Sequence, residues 1–300
     1  MKTVLEAVPP ERHRGQAALE KVLEKVAAVQ AHTPVDLVNI PEIHEEPARS
    51  DKGERRQPFA PRMAPRDLAQ IIRERLGIEC MINHVVVHHH SEQALVDWAR
   101  ETWERCGVRQ MVLVGGGRRS VRYPGPGVAR ANALLRDADG LPGLRIGNIC
   151  IPSRRDEAAR MAEKVGAGAD FFTTQILYES DGFSQMLAAL SAAGQAPAEV
   201  LVAFCPIRSV RNLRFLQWLG VGVPEDLEAW LVADETKITQ RSVEQIHRTW
   251  QAILDEARSI APPVPRLGVN LAPIGPIPPA VTAGLARDLA AAHTDGVAAL

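Results

Sequence analysis

No run of about eighteen apolar residues occurs in this chain, and Met1-Lys2 lead into the first strand-like run without a signal-like apolar segment. A protein that is neither exported nor membrane-spanning is expected, working in the cytoplasm. Charge of one sign is also missing: 35 Lys and Arg stand against 36 Asp and Glu, the formal net charge is -1, and the basic residues are spread along the chain. No massed basic surface exists to draw in nucleic acid or an acidic membrane, so neither is an expected partner. Cysteine is scarce, and Cys80, Cys106, Cys150 and Cys205 lie far apart with no CxxC pair. They read as small buried hydrophobes of a reducing compartment. A dinucleotide fingerprint is absent too, since the glycine cluster Gly115-Gly116-Gly117 lacks GxGxxG spacing and comes halfway along the chain.

The composition that is present, 46% hydrophobic and 24% charged over 300 residues, can bury a large core and has no sign of disorder. Against that background one carboxyl stands out. Glu6 lies inside Thr3-Val4-Leu5-Glu6-Ala7-Val8, a run that ends in Pro9-Pro10. An ionisable group in a buried strand is costly unless something uses or pairs it, and burial raises a carboxyl pKa towards that of a working acid. Glu6 is therefore a candidate acid, the alternative being a strand-end Glu that faces solvent or pairs with an Arg.

Short β-rich runs alternate with amphipathic segments to the end of the chain. Strands are expected over 3–8, 35–40, 79–87, 110–115, 144–151, 171–177, 200–207 and 266–272. Helices are expected over 16–32, 64–76, 91–106, 128–136, 155–165, 183–193, 209–219 and 279–293, with an additional helical stretch at 224–260 and a polar insert at 41–63. Leu19, Val22, Leu23, Val26 and Val29 show the helical spacing in the first helix, Pro65 suits the first turn of the second, and Ser91 suits a cap on the third. Eight strand-helix units in one domain predict a single (β/α)8 TIM barrel spanning 1–300; a doubly wound open sheet is the alternative.

In a barrel, functional groups lie at or beyond the C-terminal strand ends. That rule selects Glu6, Asn39, the His84 region, Gly115 to Gly117, Asn148 to Ile151, Gln175 and Asn270. Gln175 can donate and accept, which suits the edge of a pterin or flavin ring, or it can cap a neighbouring backbone. Asn39 and Asn148 admit the same two readings. If 79–87 continued as an extended strand, His84, His88 and His90 would share a side and could offer imidazoles to a metal, as in a barrel hydrolase. No other strand end supplies a matching His or Asp set, so no metal is expected; the alternative is one site histidine, His84, before a solvated His-rich loop. Glu42, His44, Glu45 and Glu46 form a further charge cluster in the insert, over the barrel mouth.

The segments Leu5-Glu6-Ala7-Val8-Pro9-Pro10, Val38-Asn39-Ile40-Pro41, Asn83-His84, Phe204-Cys205-Pro206-Ile207 and, most specifically, Lys164-Val165-Gly166-Ala167-Gly168-Ala169-Asp170 through Thr174-Gln175 together resemble methylenetetrahydrofolate reductase. The resemblance implies a barrel that reduces the methylene group of 5,10-methylenetetrahydrofolate to methyl with electrons from NADH or NADPH. By it, Glu6 matches the general acid and Gln175 the folate-contacting glutamine, with Asn39, Glu46 and Tyr178 on the substrate side; His84, Asn39 and Lys164 match positions that line the flavin, and Gly115, Gly116 and Asn148 fall with them on the cofactor side. Three departures bear on the flavin, one being that the aromatic-rich end of the family's last strand is Asn270-Leu271-Ala272-Pro273 here. The family's Leu-Arg-Gly-Asp is Leu113-Val114-Gly115-Gly116 here, and the aromatic-Pro-Glu after the fifth strand is Ile151-Pro152-Ser153. Weak or absent FAD is expected, as in flavin-independent reductases of the same barrel, where nicotinamide passes hydride directly to folate. A flavin-dependent reductase and a folate-binding barrel without redox activity are the alternatives.

Overall fold

Eight of the apolar runs form strands that hydrogen-bond side by side until the last meets the first. The computed structural model describes residues 1–45, 49–50, 53–54, 59–117, 121–262 and 264–298. The barrel strands are β1 (Thr3–Glu6), β2 (Leu37–Pro41), β3 (Cys80–Val85), β4 (Gln110–Val114), β5 (Arg145–Cys150), β6 (Phe171–Thr174), β7 (Glu199–Phe204) and β8 (Arg266–Leu271). Between and after them run α1 (Gly15–Gln30), α2 (Pro65–Leu76), α3 (Glu92–Cys106), α4 (Val128–Asp137), α5 (Glu157–Gly166), α6 (Asp181–Ala192), α7 (Val210–Trp218), α8 (Glu225–Val232), α9 (Ile238–Ser259) and α10 (Pro279–Ala298). Every barrel pair is parallel, and β8 closes on β1 through Thr3 opposite Val269. The fold is a single (β/α)8 TIM barrel, as the alternation predicts.

Parallel barrel strands are covered on both faces, which is why they read as continuous apolar runs. Outward residues such as Val38, Ile82, Leu113, Phe172 and Val202 pack under the helices, while Val4, Leu37, Met81, Val112, Phe171 and Leu201 fill the barrel interior. Gly147 faces inward beneath the Phe171 ring, and a Cβ there would collide with it. α3 shows the local logic of the helices. Ser91 Oγ accepts from Ala94 N at 3.1 Å, and Gly107 ends the helix at φ +65, where a side chain is strained.

Several boundaries depart from expectation, among them the end of β6 at Thr174 and of β7 at Phe204, and three have a local cause. β1 stops at Glu6, because Pro9 and Pro10 have no N–H to extend pairing. β3 stops at Val85 and tightens into a 3-10 turn, Val86–His88. The stretch 224–260 divides at Asp234, whose carboxylate accepts from Thr236 N at 3.0 Å and starts the short 3-10 turn Glu235–Lys237 ahead of α9. Within the insert, Arg49–Ser50 pairs antiparallel with Gly53–Glu54, and the backbone of the latter lies against α7. The returning chain is fastened beside β1 by Met63 N to Pro10 O and Arg12 N to Pro61 O, both 2.9 Å.

The N-terminal end of the barrel is plugged. Lys2 Nζ reaches Gln110 Oε1 at 3.0 Å and Glu199 Oε2 at 3.2 Å, and Arg145 reaches the same Glu199 oxygen at 3.0 Å. Lys2 and Arg145 both lie over the Phe171 ring. Polar groups at this end stabilise the barrel, leaving the C-terminal end for function. Among the described residues no helix is long and apolar enough to cross a membrane, and all four cysteines are free and buried.

Candidate functional site

Register places a polar chamber directly above the apolar interior. Glu6 stands opposite Asn39, Asn83 opposite Val112, Thr173 opposite Leu201, and Asn270 opposite Ala203. In this class of barrel the strand stagger brings side chains from alternate strands into common layers. Following the register round, Asn39, Val112, Thr173 and Asn270 share one layer; Glu6, Asn83, Ile149 and Ala203 form the next; Pro41, Val114, Gln175 and Ala272 form the rim.

Glu6 is the single carboxyl of these three layers. Burial pushes its pKa up to about 7, partly opposed by a hydrogen bond from Asn39. Asn39 Nδ2 donates to Glu6 Oε2 at 3.2 Å. A carboxyl so placed exchanges its proton near neutrality and can both give and regain it. Around it, Asn39 Oδ1, Asn83 Oδ1 and Asn270 Oδ1 are buried without a hydrogen-bond partner among the described residues. Asn270 Nδ2 reaches Thr173 Oγ1 at 3.4 Å. Asn270 is already selected by its place at a strand end, and Asn83 and Thr173 join it as additions to the site. The sequence carries no signal for which face Asn83 and Thr173 take, since both faces of these strands are buried and the runs do not alternate.

Gln175 occupies the rim, half-buried, its Oε1 accepting from Ile176 N at 3.0 Å and its Nε2 donating to Leu219 O over a long 3.5 Å. Tyr178 lies beyond β6 and is buried; its hydroxyl donates to Cys205 O at 2.5 Å, and its carbonyl accepts from Gln245 and Thr249 on α9. It braces strand ends from behind the rim. Glu46 falls outside the described residues.

The residues on the cofactor side are placed differently. His84 alternates with Asn83 on β3 and faces outward, stacked on Trp98 of α3 at a centroid distance of 3.5 Å. Its Nδ1 lies 2.8 Å from Glu42 Oε2 and its Nε2 2.7 Å from His89 Nε2. Burial raises the Glu42 pKa, but contacts with His44 and His84 and the Val85 N–H outweigh it and hold the carboxyl well below its usual range. Asn148 also faces outward, fully buried, exchanging amide hydrogen bonds with Asn132 of α4 at 2.8 and 3.1 Å. Lys164 projects from α5, its Nζ donating to Ile149 O at 2.9 Å, and burial lowers its pKa. Gly115 is half-buried and Gly116 exposed after β4; a Cβ at Gly116 would meet the Tyr123 ring. These residues do not converge on the chamber.

The histidine-metal alternative loses its geometry with the extended strand that it required. His88 lies in the 3-10 turn after β3, and His88 and His90 are exposed. Among the described residues no group of three His, Cys, Asp or Glu is arranged to hold a metal ion.

Fold and chamber together define a (β/α)8 barrel with a half-buried acid and an amide-lined mouth at the C-terminal strand ends. Residues 1–274 match the family described as mycobacterial methylenetetrahydrofolate reductase, and the chain belongs to that family. A solved structure described as an uncharacterized protein from Clostridium thermocellum that binds two copies of 5-methyl-5,6,7,8-tetrahydrofolic acid has the same fold, with a TM-score of 0.74 and 19% identity over 96% of this chain and 95% of that one. The Amycolatopsis orientalis BexX/CysO complex aligns at a TM-score of 0.46 and 11% identity, over 99% of this chain and 92% of that chain. No curated protein matches in sequence.

Proposed function

We propose that the protein reduces 5,10-methylenetetrahydrofolate to 5-methyltetrahydrofolate, taking hydride directly from a reduced nicotinamide without a tightly bound flavin. The observation that carries this reading is Glu6, a carboxyl brought to a pKa of about 7 in the barrel mouth of a member of this family. The folate bound by the Clostridium thermocellum protein on the same fold is in keeping with it.

The closed five-membered ring of the substrate has no acceptor for hydride. Protonation of N10 by Glu6 breaks the bond between N10 and the methylene carbon, leaving an N5 iminium cation and the Glu6 carboxylate. Hydride adds to that carbon, so the nicotinamide is oxidised by two electrons while the methylene becomes methyl. The carboxylate, held by Asn39 Nδ2, faces the cation while it exists and then regains a proton from solvent. Gln175 at the rim can release its weak bond to Leu219 and orient the pterin. The remaining contribution is proximity of the two rings in one mouth.

The residues that the family resemblance assigns to a flavin do not fit one here. His84 and Asn148 face outward with partners of their own, Lys164 is bonded to the β5 backbone, and Tyr123 occupies the space beside Gly116. The reading is tested by incubating the purified protein, freed of small molecules, with methylenetetrahydrofolate and NADH or NADPH. Stoichiometric formation of 5-methyltetrahydrofolate without added flavin is expected; nicotinamide oxidation only after flavin is supplied would overturn the flavin-free step, and no product under either condition would overturn the activity.

A further inference from the structure

The chamber holds three amide oxygens that nothing in the described protein satisfies. Asn39 is 0% and Asn270 3% exposed, and their Oδ1 atoms, with Asn83 Oδ1, are buried and unpartnered. The amino ends of two of these amides are engaged, Asn39 Nδ2 with Glu6 and Asn270 Nδ2 with Thr173, which leaves the carbonyl ends for the chamber. Left unpaired, each buried acceptor is destabilising, so the set is built for something that donates. Of its strands, β2 and β8 flank β1 and β3 lies next beyond β2, so the acceptors stand on both sides of Glu6.

Resting on the folate reading above, we propose that Asn39, Asn83 and Asn270 select the reduced pterin ring by accepting its ring N–H groups, with the N–H at position 8 as the discriminating donor. A pterin offers the N3–H and the 2-amino group in either oxidation state. Only the reduced ring adds a hydrogen on N8; in the oxidised ring that nitrogen carries a lone pair, which would face an amide oxygen. A site built to accept an N–H rejects an analogue that lacks it far more strongly than an apolar pocket rejects a change of shape. Buried water is the competing occupant of such acceptors, and water confers no preference among folates.

The test is equilibrium binding by titration calorimetry, without nicotinamide, of 5-methyltetrahydrofolate and its 8-deaza analogue, in which a methylene replaces N8–H while the ring keeps its pucker. The wild-type protein is expected to bind the natural ring about tenfold or more tightly than the 8-deaza ring. Asn270→Leu and, separately, Asn83→Leu should weaken binding of the natural ring; in at least one of them the preference should fall to within about twofold. Equal wild-type affinity for the two rings overturns the selection while leaving the folate reading intact. A preference that survives in both variants overturns the assignment to these residues. If neither ring binds, the folate reading falls and the selection with it. The wild-type comparison stands alone should a variant fail to fold.

Discussion

Asn39 and Glu6 face each other across adjacent strands, with Asn39 Nδ2 donating to Glu6 Oε2 at 3.2 Å. The bond sets two properties of the acid at once: it fixes the carboxyl's direction in the chamber, and it favours the ionised form against the larger effect of burial. Removing the donor should therefore raise the pKa further. If protonated Glu6 is the active form, the wild-type rate falls as pH rises through about 7. In Asn39→Leu that descending limb should move to higher pH, with turnover at the optimum reduced because the acid is less well aimed. A pH profile of kcat measures this, and an unmoved limb would detach the titration from Glu6.

Glu6→Gln keeps the shape and loses the proton. Turnover should fall by about two orders of magnitude or more, while folate binding, measured separately, survives. Stability should change in the opposite direction. Folding raises the Glu6 pKa from its ordinary value of 4.5 to about 7, so the folded state holds the proton more firmly. The stability gained from that proton is present below pH 4.5 and is lost as pH rises to about 7. Relative to wild type, Glu6→Gln should gain about 1–3 kcal/mol across that window, read from urea titrations at several pH values. A difference that does not vary with pH would contradict the raised pKa.

Direct hydride transfer has a kinetic signature. If no carrier intervenes, nicotinamide and folate occupy the mouth together, and initial-rate plots intersect. Parallel lines would require an enzyme-bound hydride carrier. The purified protein should also lack flavin absorption, since His84, Asn148 and Lys164 are committed to Trp98, Asn132 and Ile149 respectively.

The barrel was legible because eight strand-helix alternations leave few other closures, and Glu6, Asn39 and Gln175 fall on inward positions at strand ends. Which face a polar residue takes was not legible, for a physical reason. Both faces of these strands are buried, so the apolar run around Asn83-His84 has no alternation to reveal parity. One register step separates the two, and it sends Asn83 into the chamber and His84 under α3. The same step sends Asn148 out and leaves Ile149 in. The antiparallel pair within the insert and the break at Asp234 were hidden for a different reason: each depends on side-chain capping or on distant contacts such as Gly53–Glu54 against α7, which local pattern does not encode.

Gln175 should behave differently from Glu6. Its amide is an orienting group at the rim with weak present contacts, so it contributes to ground and transition states alike. Gln175→Ala should raise KM for folate about tenfold and leave kcat within a few-fold. A loss confined to kcat would move Gln175 from positioning the pterin to the chemical step.

The outward cluster makes the last prediction, on stability. Glu42 Oε2 accepts from Val85 N at 2.9 Å and lies 2.8 Å from His84 Nδ1, tying the start of the insert to the end of β3. Glu42→Leu leaves a backbone N–H and an imidazole nitrogen without their acceptor, and should cost about 1–3 kcal/mol at neutral pH. Folding lowers the Glu42 pKa, so its stabilisation is present above the ordinary 4.5 and is lost as pH falls towards the folded value. The deficit of Glu42→Leu against wild type should therefore shrink in acid, whereas a purely steric defect would not titrate. Melting temperatures of both proteins at pH 7 and at about pH 3 decide between the two, and a deficit unchanged in acid would mean that packing, not the carboxylate, holds the insert to β3.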